Sequence, residues 1–234
     1  MNKQAKYRAK FKQNFPTWQE SMDIYKDIIK SYVPDKTVLA VGCGYNDFLK
    51  DAFSLASNTY GVDPDAEALA KNTFIKNKLV GFAEKLPLPD ESIDIITAEW
   101  VLEHIQDEYK VLKEFHRVLK PGGVVIFLTP NKWNYNAFLI RLIPNKLHPL
   151  FTKLLYNRLT EDTYPTTYKL NSPSKIEKLF KQNGFKKERL IFNGDPSYIS
   201  FGPITFRLAV LLEQLLDKVF PKGKVHIIGV YKRI

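Results

Sequence analysis

The 234-residue sequence has a single cysteine, Cys43, which excludes an intrachain disulfide framework. That scarcity fits a reducing compartment, and the expected location is the cytoplasm. Histidine is sparse as well: four residues, none at a spacing that would hold a metal. No apolar run approaches the roughly 20 residues that span a bilayer. The most apolar window, residues 198–220, is interrupted by Arg207, Glu213 and Asp217. Residues 1–15 are basic and lack an apolar core segment, so no signal peptide is expected. Repeats and low-complexity linkers are missing. Zinc-finger spacings and Arg-rich arms are missing too, which argues against nucleic acid as a partner.

What is present is a chain able to bury a full core, with 44% hydrophobic and 13% aromatic residues. Lys plus Arg number 35 against 25 for Asp plus Glu, a net charge of +10. Basic residues gather in MNKQAKYRAKFK at the start and in KLFKQNGFKK at 178–187. Three readings of the excess stay open: a basic solvated surface, phosphorylated substrates, or peripheral contact with an anionic membrane.

Hydrophobic spacing gives the organisation. The first dozen residues read as polar and loose. Trp18, Met22, Tyr25, Ile28 and Ile29 recur at helical spacing, which predicts a helix over 17–32. Strands are expected at 37–41, 59–62, 80–83, 93–98 and 124–129, with helices at 47–56, 65–75 and 107–119 between them. Such alternation predicts a parallel sheet covered by helices on both faces. Residues 132–170 are aromatic and basic, with several prolines, and read as a helical cap insertion. A helix at 172–185, a strand at 189–192, an amphipathic helix at about 204–220 and a last strand at 224–232 complete one domain over 1–234.

The stretch VLAVGCGYND carries the first chemistry. An apolar strand enters a Gly-x-Gly turn, which presents backbone N–H groups to an anion. Gly42 and Gly44 let a ligand approach the main chain. Asp63 ends the next strand, where a carboxylate can accept both hydroxyls of a ribose. Together these features point to an adenosine-bearing ligand. The alternative is that Asp63 only caps the helix after Pro64.

Four stretches in order, VLAVGCG, YGVDPD, AEKLPLPDESIDIITAEWVLEHI and EFHRVLKPGGVVIFLTPN, resemble the class I S-adenosylmethionine-dependent methyltransferases, of the group acting on small molecules, lipids and glycans. The resemblance spans about residues 37–131. It implies a Rossmann-like, doubly wound α/β fold with a mostly parallel seven-stranded sheet and an antiparallel last strand. S-adenosyl-L-methionine is the implied cofactor. The implied contacts are Val41, Gly42, Cys43 and Gly44 around the methionine part, Asp63 with Pro64 at the ribose, Phe82, Ala83 and Glu84 at the adenine, and Glu99 with Trp100 beside the sulfonium. The family pattern has an acid where Ala40 stands, a glycine where Asn46 stands and an aspartate where Phe82 stands. These departures predict weaker cofactor binding than the family norm. Glu84 or Asp47 are candidates to replace the missing charge.

Methyl transfer is an in-line displacement that needs alignment of donor and acceptor and exclusion of water. A hydroxyl acceptor also needs a general base. Glu99, His104 and His148 are the candidates, with Tyr168 on the acceptor side. His116 reads as structural and Cys43 as a small packing residue. The expected activity is methyl transfer to an oxygen of a small molecule, glycan or lipid-linked intermediate. The alternatives are a catalytically degenerate domain that binds a partner or a membrane, and a nicotinamide enzyme, which the missing glycine at Asp47 disfavours.

Overall fold

The structure is a computed structural model that describes residues 3–45, 47–135 and 165–234. Its elements in order are α1 (Lys3–Asn14), α2 (Ser21–Tyr32), β1 (Thr37–Val41), α3 (Lys50–Phe53), β2 (Asn58–Asp63), α4 (Ala66–Lys71), β3 (Asn77–Val80), β4 (Ile93–Glu99), α5 (Glu108–Val118) and β5 (Leu119–Pro130). There follow α6 (Pro173–Gln182), β6 (Phe185–Asn193), a 3-10 turn at Pro196–Ile199, α7 (Pro203–Val219) and β7 (His226–Arg233).

The strands form one seven-stranded sheet in the order β3-β2-β1-β4-β5-β7-β6. β1 pairs in parallel with both β2 and β4, and β4 pairs in parallel with β5. The last strand runs antiparallel. The fold class is therefore the expected one. Residues 38–41 of β1, 95–98 of β4 and 123–129 of β5 are all buried, as strands covered on both faces require.

The chain divides into two compact units. The larger, Ser21–Pro130, Thr166–Ile191 and Ile227–Ile234, holds most of the sheet. Its core joins Tyr25, Ile28, Ile29 and Val33 from and just after α2 to Val38, Ile95, Ile126 and Val230 on the strands. Phe127, Phe180 and Tyr231 stack on the other side, with Phe180 and Tyr231 centroids 4.2 Å apart. The smaller unit comprises Met1–Glu20, Asn131–Pro165 and Phe192–His226.

Several expectations need correction. Residues 3–14 form a helix where a loose segment is predicted. Tyr7, Phe11 and Phe15 recur every four residues; Phe11 is buried and its ring lies 4.7 Å from Phe15 and 5.1 Å from Trp18. Aromatic packing thus orders a segment whose composition is basic. The helix predicted over 17–32 begins only at Ser21, because the Trp18 indole turns away to donate to the Gly194 carbonyl at 3.0 Å. The strand predicted at 80–83 ends at Val80, which leaves Phe82 and Ala83 in the turn beyond it. Of the cap expected at about 132–170, residues 136–164, with His148, lie outside the described residues, as does Asn46.

Candidate cofactor site

The parallel strands deliver their loops to one edge of the sheet. β1 and β4 are neighbours whose connections leave for different sheet partners, the position at which such sheets bind ligands. A pocket opens there, lined by Ala40, Val41, Gly42, Cys43, Thr97 and Glu99 among others. All of these residues belong to the larger unit.

The loop after β1 is shaped by its glycines. Gly42 has φ +63° and Gly44 φ +47°, both in the left-handed region. A Cβ on Gly42 would overlap the Val101 side chain, so the loop after β4 packs directly on this glycine. A Cβ on Gly44 would meet nothing within 4 Å. Gly44 therefore faces an open cradle, which fits a ligand lying along the main chain.

Asp63 ties the loops together. Its Oδ2 accepts from Gly44 N at 2.8 Å and its Oδ1 from Asp65 N at 2.9 Å. Each carboxylate oxygen keeps accepting capacity, since a carboxylate offers about four lone-pair positions. The capping role weighed for Asp63 falls to Asp65, whose Oδ1 accepts from Glu67 N and Ala68 N at 3.0 Å. Pro64 between them is exposed. Asn72, which sequence patterns gave no reason to single out, is buried. It donates to the Gly44 carbonyl at 3.1 Å and accepts from Phe74 N and Ile75 N at 3.1 Å.

Cys43 sits against Gly61, where a Cβ would stand 2.8 Å from its Sγ. Burial, with the nearby Asp63 charge, pushes the thiol up to about 12, so it stays protonated and is no nucleophile at neutral pH. The structure brings Glu99 into the same pocket as Ala40. Glu84 is engaged elsewhere: its Oε1 accepts from Gln106 N at 3.2 Å. Asp47 is exposed. Trp100 takes φ +55° and donates its N–H to the Leu128 carbonyl at 3.0 Å, which fixes the turn out of β4. Phe82 is 65% exposed and pairs across its turn with Lys85; Ala83 is half-buried beside it.

Two further features were not legible beforehand. Tyr25, fully buried on α2, has its hydroxyl raised well above the usual range by burial and then by the Glu99 charge, so it stays a neutral phenol in the electrostatic reach of that carboxylate. Beside His104, Glu103 is buried and its carboxyl is raised by desolvation. Thr129 Oγ1 donates to Glu103 Oε2 at 3.0 Å, Asn171 donates to Thr129, and the Glu103 carbonyl accepts from Thr167 N at 2.7 Å and Tyr168 N at 3.1 Å. This network anchors the segment carrying Tyr168. His104 itself is half-buried, and its N–H closes a turn on the Val101 carbonyl at 2.9 Å. His116 meets the Phe185 ring edge-on, in keeping with a structural role. Among the described residues no cluster of His, Cys, Asp and Glu is arranged to hold a metal. No helix among them is long and apolar enough to cross a membrane.

The sequence model of the methyltransferase domain family matches residues 39–127. A demethylmenaquinone methyltransferase of Geobacillus stearothermophilus is 32% identical over 165 residues, 64% of this chain and 70% of that protein. A ubiquinone biosynthesis O-methyltransferase of Hydrogenovibrio crunogenus is 25% identical over 77% of this chain and 73% of its own length. Of two Chlorobaculum demethylmenaquinone methyltransferases the chain spans 61% and 60%. In fold, a crystal structure of an S-adenosylmethionine dependent methyltransferase from Mesorhizobium loti superposes with a TM-score of 0.61 at 16% identity, over 91% of this chain and 100% of that one. The matched residues run from the strand that feeds Gly42 to the strand that leads into Thr129, and the chain belongs to the class I S-adenosylmethionine-dependent methyltransferases.

Proposed function

We infer that the chain transfers a methyl group from S-adenosyl-L-methionine to an oxygen of a small-molecule acceptor, with glycans and lipid-linked intermediates in the same class. The observation that carries this reading is the open cradle at Gly44 beside an Asp63 carboxylate that accepts only main-chain bonds. Quinone-type acceptors in the relatives' names support a small molecule, and the O-methyltransferase among them supports oxygen.

The cofactor supplies an activated methyl on a positive sulfur with a neutral leaving group. The protein's part is placement. Gly42, Cys43 and Gly44 would hold the methionine part along the β1 loop, with Val41 beneath. Asp63 would accept the two ribose hydroxyls, with Pro64 at its flank. Phe82, Ala83 and Glu84 would border the adenine, Phe82 by ring packing where the family has an acid. Glu99 lines the same pocket as Ala40 and would stand beside the sulfonium. Trp100, held by its strained turn, would shield the reacting sulfur from water. Glu99, His104 and His148 stand as the groups that would take the acceptor's proton.

Calorimetric titration with S-adenosylhomocysteine tests the reading. The expected result is saturable binding weaker than low micromolar. Absence of saturable binding ends the enzyme reading; low-micromolar or tighter binding ends only the claim that Ala40 and Phe82 cost affinity. Asp63→Ala should weaken binding about tenfold or more, equivalent to roughly 1–3 kcal/mol for polar groups left unpaired. Unchanged affinity would move the ribose elsewhere.

A further inference from the structure

Helix α7 carries an apolar stripe on its exposed side in addition to the apolar residues it buries. Ile204, Leu208, Leu211, Leu215 and Val219 are each 54–75% exposed. At roughly 100° per residue they fall within an arc of about 80°. The opposite side holds Phe206, Ala209 and Glu213, all buried. Phe201 precedes the stripe and Phe220 follows it, both exposed. Phe220 also lines an apolar pocket with Leu216, Tyr135 and the exposed indole of Trp133. An exposed apolar surface of this extent marks a contact surface.

Charge says what the contact is. Arg207 and Lys218 border the stripe along one edge, and Lys222 lies just past its end. The helix's two acids, Glu213 and Asp217, point away from the arc; Glu213 is buried and Asp217 pairs with Lys224. The opposite side of α7 is already covered, since the Tyr7 ring of α1, in the same unit, stacks on Phe206 at 5.1 Å. An apolar stripe flanked by cations, with aromatic rings at both ends, has the form of a helix lying in a lipid interface.

A second copy of the chain fits less well. Residues 204, 208, 211 and 215 follow the alternating spacing of a coiled-coil seam, but the next seam position is Lys218 and only two heptads are available. Two chains of charge +10 also repel.

We propose that the α7 stripe, bordered by Arg207, Lys218 and Lys222, docks the protein onto an anionic phospholipid surface. The claim stands independently of the methyl-transfer reading. The test is co-sedimentation of the full chain with phosphatidylcholine vesicles, with and without phosphatidylglycerol. Wild type should partition about tenfold more strongly onto the anionic vesicles, and added salt should weaken this. Leu208→Glu with Leu211→Glu should lose at least about tenfold in binding without a change in melting temperature, both positions being exposed. Replacing Arg207, Lys218 and Lys222 by Gln should weaken the preference for anionic lipid. Failure to bind anionic vesicles, equal binding to neutral ones, or a dimer in solution that the Leu208 and Leu211 changes dissolve would each overturn the proposal. S-adenosylhomocysteine titrations on the same samples keep this outcome separate from that of the enzyme reading.

Discussion

Two buried carboxylates, Asp63 in the larger compact unit and Asp195 in the smaller, are used in opposite ways. In the larger one, Asp63 ends β2 and accepts only main-chain bonds, from Gly44 N at 2.8 Å and Asp65 N at 2.9 Å. In the smaller one, charged side chains close on each other in the interior. Asp195 Oδ2 accepts from Arg8 Nε at 2.9 Å and Nη2 at 2.7 Å, while its Oδ1 accepts from Ser197 N at 3.0 Å. Tyr135 donates to Glu213 Oε1 at 2.6 Å, and Tyr198 shares a bond of 3.2 Å with His226. A carboxylate with accepting capacity left over is suited to a ligand. A carboxylate matched to a guanidinium is suited to holding distant segments together.

That contrast breaks most plainly at Asp195. Asp195→Ala strands the Arg8 guanidinium, which then keeps only Glu20 at 3.3 Å, and removes the cap of the 3-10 turn. The expected loss is about 3–5 kcal/mol, or a fall in melting temperature of roughly 10 °C. Affinity for S-adenosylhomocysteine should stay within about threefold of wild type, well under 1 kcal/mol. A larger drop in affinity would show that the smaller unit supports the cradle.

The next effect is a pH dependence. Burial raises the Glu213 carboxyl from 4.5 to about 7. The folded protein thus holds a proton there that the unfolded chain releases between about pH 4.5 and 7. Stability from this group is full below 4.5 and falls as pH rises through that window. His226 has the reverse sign: burial lowers it from 6.5 to about 4, so its contribution falls as pH drops from 6.5 to 4. The two slopes offset each other from about 4.5 to 6.5. In Glu213→Gln only the histidine slope remains. The variant's stability relative to wild type should therefore rise by about 3 kcal/mol between pH 4.5 and 8, measured by urea unfolding at each pH. A difference that stays constant with pH would mean that Glu213 titrates alike in the folded and unfolded chain.

Legibility follows the range of the interactions. The sheet, the Gly42–Gly44 turn and Asp63 were readable because strand periodicity and turn chemistry are local. Asn72 was not, since it meets Gly44 28 positions away with no pattern linking them. The same holds for Glu103, Thr129 and Asn171, which are joined across 26 and 42 positions. Glu213 was visible only as a charge interrupting an apolar window, and the buried partner that explains it, Tyr135, lies 78 positions earlier. Helix α1 was hidden by composition: its five basic residues outweighed its two aromatic ones, Tyr7 and Phe11, which continue at the same spacing to Phe15 just beyond it.

The smallest effects come from the two glycines of the cradle, and their difference is the finest probe of it. Both have positive φ, which costs an alanine about 1 kcal/mol or slightly more in either position. Gly42→Ala adds an overlap with Val101 and should lose about 2–3 kcal/mol of stability. In that background Val101→Ala should recover the overlap part while the φ part remains, a coupling that a double-mutant cycle reads directly. Gly44→Ala meets no neighbour, so its stability loss should stop near 1 kcal/mol. Its methyl would instead project into the space reserved for a ligand, and S-adenosylhomocysteine affinity should fall by more than stability does. Equal losses of affinity in the two variants would mean that loop strain, and not occupancy of the cradle, governs binding.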